Sequence, residues 1–196
     1  EFKALLKGVV TRKDLGACYR LIANYEEFEK LVEELKRCEY FSFDFETTSA
    51  DPMSAEIVGV SFSWEEGVSF FVGLKPHIDD RALESKVALG ALKEIFENDL
   101  IKKIGQNIKY EFVVLKNYGI NLKGIYFDTM IASYLLDPSK LNHNLDDISM
   151  EHLNHKMTDI RELIGKGKSA ITMDRVELER VSSYCAEDSD VTLRLK

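Results

Sequence analysis

Residues 40–46, YFSFDFE, alternate without a break. A two-residue period puts Phe41, Phe43 and Phe45 on one face of a strand and Ser42, Asp44 and Glu46 on the other. One face is aromatic, and the strand ends in two carboxylates on the other face. The rest of the chain has to accommodate both.

Helices and further strands are legible around it. Phe28, Leu31, Val32 and Leu35 recur at helical spacing after Asn24, a good cap. CYRLI (18–22) reads as a strand. EIVGVSFSW (56–64) and GVSFFVGL (67–74) read as a hairpin turning at Glu65, Glu66 and Gly67. A helix is expected over about 80–97, with Leu83, Val87, Leu92 and Phe96 on its apolar side. KKIGQN (102–107) suggests a short strand, and IKYEFVVLKNYG (108–119) a helix capped by Asn107 and closed by Gly119. Short helices follow in DTMIASYLL and NLDDISMEHL, with Asp128 as a cap. GKGKS (165–169) is a loop, and 174–195 a long final helix. Residues 1–17 are expected to be a tail or linker, and 18–196 one domain. The order predicts an α/β protein with a mixed sheet of about five strands.

Composition sets limits. The 196 residues suffice for one substantial core, and the 45% hydrophobic and 31% charged content is that of a globular chain. No apolar run is long enough for a membrane span, so no membrane partner is expected. Cys18, Cys38 and Cys185 are scattered and odd in number, which suits a reducing, cytoplasmic compartment. A net charge of −8 argues against simple electrostatic binding of nucleic acid. Carboxylates gathered around divalent cations would reverse that sign locally.

Three sets of residues carry candidate chemistry. Asp44 and Glu46, at the carboxyl end of a central strand, are hard oxygen donors suited to Mg²⁺ or Mn²⁺, or else simply a solvated strand end. Tyr184 and Asp188 lie one turn apart on the last helix, where a phenol beside a metal-holding carboxylate could act on a water. The same spacing suits a core tyrosine, and it leaves open which of Glu187, Asp188 and Asp190 faces inward. In Gly105-Gln106-Asn107-x-x-x-Glu111, a helix cap and an acid in the first turn explain Asn107 and Glu111 structurally. GKGKS is not a nucleotide-binding phosphate loop, because that pattern would need glycine at Glu162. His152 and His155 belong to no zinc motif.

Together FDFET (43–47), GQNIKYE (105–111), FDTMIASYLL (127–136), HNLDDIS (143–149), the GKGK loop and YCAEDSDVTLRL (184–195) resemble the proofreading exonuclease of the bacterial DNA polymerase I family, in order from about Cys18 to the end. The resemblance implies a ribonuclease H-like sheet flanked by helices and 3′–5′ removal of nucleotides from a single-stranded or frayed DNA 3′ end. It also implies a polymerase domain in the same full-length chain. Two divalent ions, Mg²⁺ or Mn²⁺, would be held by Asp44, Glu46, Asp188 and Glu111. Asp44 would bridge both, and Tyr184 would orient the attacking water, which places the chain in the tyrosine subclass. Asn107 would lie near the terminal nucleotide, and Thr47, Ala50 and Met173 would face the substrate. Apart from the resemblance, Lys166 and Lys168 of GKGKS are candidates either to contact the DNA backbone or to sit in a solvated loop.

One departure stands out: the family has aspartate where this chain has Glu111, one methylene longer, which implies weaker binding of the second ion. Two alternatives remain at this level. One is an RNA exonuclease of the RNase D type; the other is a catalytically silent structural platform.

Overall fold

In a computed structural model, described here for residues 17–196 apart from the Lys168 side chain, the strand read first lies inside the sheet and is covered on both faces. It is β2 (Tyr40–Thr47), and the order is β1-β4-β3-β2-β5-β6. The other strands are β1 (Cys18–Ile22), β3 (Ile57–Glu65), β4 (Val68–Gly73), β5 (Lys102–Gly105) and β6 (Ile125–Asp128). β4, β3 and β2 pair antiparallel, while β1 joins β4, β5 joins β2 and β6 joins β5 in parallel. The expected tail lies outside the described residues except for Ala17.

Six strands form where about five were expected. The one unread is β6, a four-residue edge strand whose residues are exposed or half-buried, so no apolar alternation announces it.

One face of the sheet packs on α1 (Tyr25–Leu35), α2 (Ser85–Glu97) and α3 (Lys109–Asn117). Phe41, Phe43 and Phe45 meet Phe96 of α2 there, with ring centroids 6.4, 5.1 and 6.0 Å away. Each fully buried phenylalanine contributes roughly 1.5–3 kcal/mol relative to exposure. Asn24 caps α1 as expected, accepting from the Glu27 amide at 2.9 Å. The second helix begins later than read. Leu83 is buried ahead of it, and Ala88, Leu89, Leu92, Ile95 and Phe96 form its apolar side. Val87 is a correction: it is 56% exposed, because at 3.6 residues per turn it lies about 140° around the helix from Leu92, opposite the buried stripe.

The opposite face carries α7 (Leu178–Arg194), preceded by a 3-10 turn at Met173–Arg175 where a continuous helix was expected. Serines let α7 approach closely. Ser42 donates to the Ser189 carbonyl at 2.7 Å, Ser61 to the Cys185 carbonyl at 2.7 Å, and the Ser69 and Ser189 hydroxyls lie 2.7 Å apart. The remaining helices are α4 (Thr129–Leu136), α5 (Leu145–Leu153) and α6 (Ile160–Ile164).

Candidate active site

β2 delivers Asp44 and Glu46 to the side of the sheet that faces α7. A register shift between Glu46 and Thr47 ends the regular pairing with β3 at that point, the kind of irregularity that re-aims side chains beside functional sites. Asp44 is half-buried and Glu46 only 7% exposed. One carboxylate oxygen from each, together with the Cys185 sulfur, lie within 4.8 Å of one another.

Two of the three candidate acids of α7 are engaged away from the β2 pair. Glu187 is engaged elsewhere: His155 Nε2 lies 2.8 Å from one oxygen, and the Thr158 amide donates to the other at 2.9 Å. Asp190 accepts from the Tyr19 hydroxyl at 3.0 Å, the Gly67 amide at 2.7 Å and Arg194 Nε at 2.9 Å, which clips β1 and the β3–β4 turn onto α7. Asp188 feels the β2 pair: its carboxyl is held well above the carboxylate range by burial and then by the charges of Asp44 and Glu46. Tyr184, half-buried one turn earlier, feels the same group. Burial and then Asp188, Glu46 and Asp44 keep its hydroxyl protonated far beyond neutral pH.

The other carboxylates repeat the pattern. Burial lifts Asp44 to about 7, with the Cys185 thiol hydrogen bond opposing the shift. Glu46 is raised by burial and by Asp44. Glu111, 4% exposed in the first turn of α3, is raised by burial and then by Asp44, with smaller effects of Asp128 and Glu46. Its Oε2 is buried with no hydrogen-bond partner. Unpaired buried carboxylates are costly, and one oxygen with no partner at all is the environment a cation would complete. The donors are almost all hard oxygens, which fits Mg²⁺ or Mn²⁺.

Asn107 is not a helix cap, which corrects the sequence reading. It adopts a left-handed φ of 57°, Ile108 takes the cap position with no side-chain cap bond, and the Asn107 Oδ1 atom is buried without a partner. Asp128 does the capping. Its carboxylate accepts from the Asn107 and Ile108 amides at 3.2 and 2.9 Å and from the Met130 and Ile131 amides at 2.8 and 3.2 Å. Its expected role as a cap thus holds, at two helix starts instead of one.

The residues assigned to substrate are dispersed. Thr47 is half-buried, its hydroxyl 2.6 Å from that of Tyr110, which also donates to the Ser49 carbonyl at 2.5 Å. Ala50 is exposed in the following loop, and Lys166 is exposed. The Lys168 side chain lies outside the described residues. Met173 is 4% exposed and packed among Val58, Phe71, Leu163, Val176, Leu178 and Val181, so it is core and offers no face to a base. Two neighbours escaped the sequence reading. Tyr110 adjoins Glu111, a signal within the motif itself. Cys185 follows Tyr184, and only the packing of α7 on β2 reveals that its sulfur reaches Asp44.

Residues 19–196 match the 3′–5′ exonuclease family, and the chain belongs to it. Its curated relatives are polymerases: it is 36% identical to DNA polymerase I of Pseudomonas aeruginosa over 181 residues, 90% of this chain and 20% of that protein. For DNA polymerase I of Borreliella burgdorferi the identity is 34% over 177 residues, 90% of this chain and 19% of the relative. The chain therefore spans about a fifth of the relatives it matches. Among solved structures, the catalytic core of RRP6 from Trypanosoma brucei superposes with a TM-score of 0.69 at 16% identity, covering 93% of this chain and 46% of that one. The fold is ribonuclease H-like, and the domain is a 3′–5′ exonuclease of the kind carried by DNA polymerase I.

Proposed function

We propose that this domain hydrolyses the terminal phosphodiester at single-stranded or frayed DNA 3′ ends, releasing nucleoside 5′-monophosphates, as the cytoplasmic proofreading part of a DNA polymerase I with a polymerase domain in the same full-length chain. The observation that carries the reading is the drawing together of Asp44 and Glu46 on β2 with Glu111 from α3 and Asp188 from α7: burial raises all four carboxyls, and Asp44 adds to the rise of the other three. Such crowding suits divalent cations, Mg²⁺ or Mn²⁺, two of which Asp44, Glu46, Asp188 and Glu111 would hold. When bound, such ions lower the pKa of a water and stabilise charge on the phosphate and the departing oxygen.

The protein's own groups do the remainder. Tyr184, protonated at any working pH, keeps a hydroxyl available to orient the attacking water. Asn107, with its unengaged Oδ1, holds the terminal nucleotide. Thr47 and the Ala50 loop line the approach, and Lys166 and Lys168 meet the strand's phosphates. Glu111, one methylene longer than aspartate and with Oε2 unpartnered, would help hold a second ion.

The test is degradation of 5′-labelled single-stranded DNA, with RNA of equal length beside it. In Mg²⁺ the DNA shortens from its 3′ end, and Asp44→Ala slows this by at least about 100-fold. RNA preference would favour an RNA exonuclease, inactivity in both Mg²⁺ and Mn²⁺ a structural platform, and an unimpaired Asp44→Ala would refute the site.

A further inference from the structure

Cys185 lies under the site described above and is fully buried. Its sulfur is 3.7 Å from Asp44 Oδ2, 3.6 Å from the Asp44 carbonyl oxygen and 3.3 Å from the Ser61 hydroxyl. The sulfur and one oxygen each of Asp44 and Glu46 fall within 4.8 Å of one another. Three ligands of one tetrahedral ion, with metal–oxygen and metal–sulfur bonds near the usual lengths, stand roughly 3.4–3.7 Å apart. The set therefore needs to contract by only about 1 Å, a side-chain adjustment. A second observation points to a cation independently of the cysteine: Glu111, 4% exposed and electrostatically coupled to Asp44, leaves its Oε2 buried with no partner.

We propose that this chain has a second mode of metal binding, in which Asp44, Glu46 and the Cys185 thiolate hold a thiophilic divalent cation such as Zn²⁺ or Cd²⁺ in competition with a harder ion. The inference rests on the reading of Asp44 and Glu46 as cation ligands. Asp188 and Cys185 approach that pair from adjoining turns of α7. Hard Mg²⁺ or Mn²⁺ selects the all-carboxylate set, and a softer ion gains from sulfur. Binding breaks the S–H bond and forms a metal–sulfur bond; that proton, with any carried by the Asp44 and Glu46 carboxyls, passes to solvent, with no change in oxidation state. An ion drawn toward the sulfur occupies two ligands of the working site, so thiophilic ions act as competitive inhibitors against Mg²⁺.

The test uses a Cys18→Ser/Cys38→Ser chain, in which Cys185 is the single thiol. Cd²⁺ is titrated against the ultraviolet thiolate-to-cadmium band, and Mn²⁺ binding is followed by electron paramagnetic resonance on the same preparation. The band should saturate at one Cd²⁺ per chain, with one more proton released per Cd²⁺ than in the same chain carrying Cys185→Ala. Adding Cys185→Ala should abolish it and lower Cd²⁺ affinity on the order of 100-fold, with a far smaller change for Mn²⁺. Cys185→Ser, closer in volume, serves where the alanine lowers stability. Mn²⁺ binding without the band would overturn the proposal, as would equal losses of Cd²⁺ and Mn²⁺ affinity in Cys185→Ala, which would make Cys185 mere packing beneath Asp44. Failure to bind Mn²⁺ at all would instead overturn the carboxylate site on which it rests.

Discussion

At the scale of single residues, the site is defined by which polar groups are satisfied. Glu187 and Asp190, on either side of Asp188 in sequence, are each tied into hydrogen bonds that fix structure. Glu111 keeps one oxygen without any. Removing that ionisable group should relieve the cost of burying it beside Asp44 in the metal-free protein while weakening the hold on cations. Glu111→Gln is expected to raise the metal-free melting temperature by a few degrees, at about 2–4 °C per kcal/mol for a chain of this size. It should also shift the Mg²⁺ dependence of activity to higher concentration. Calorimetry and a Mg²⁺ titration of the rate check the two halves. The Asp44–Glu46 pair was legible at this scale because a two-residue period is unambiguous. The choice among three acids on α7 was not, since it depends on partners such as His155, Thr158 and Tyr19 that are remote in sequence.

At the scale of elements, strong periodicity transferred directly and weak periodicity did not. β2, the β3–β4 hairpin and α1 follow their patterns closely. Two features were misread: β6 is short and exposed, and Val87 lies on the side of α2 opposite Ala88, Leu89, Leu92, Ile95 and Phe96. Asn107 looked like a cap because its residue type favours one, but a carboxylate 21 positions away took the role. Asp128 therefore organises two helix starts with one side chain. Asp128→Ala should cost about 1–2 kcal/mol in urea unfolding, a usual cap loss. It should also raise KM more than it lowers kcat, because it frees the backbone that presents Asn107. An unchanged KM would separate the cap from substrate binding.

At the scale of the whole molecule, a net charge of −8 and a task on nucleic acid are reconciled if the acidity is concentrated where cations bind. The most direct test is the pH dependence of stability with and without cation. The site carboxyls are held above their unfolded values, Asp44 at about 7, so the folded state binds more protons than the unfolded one over that interval. Their contribution is fully present below the ordinary carboxylate range and is lost as pH rises through the folded values. Asp44→Asn cannot titrate at that position. Thermal unfolding of both proteins from pH 4 to 8 should show metal-free wild type losing stability relative to the variant as pH rises, and Mn²⁺ reversing the trend in wild type alone. A wild-type curve that runs parallel to Asp44→Asn and is equally indifferent to Mn²⁺ would contradict the account.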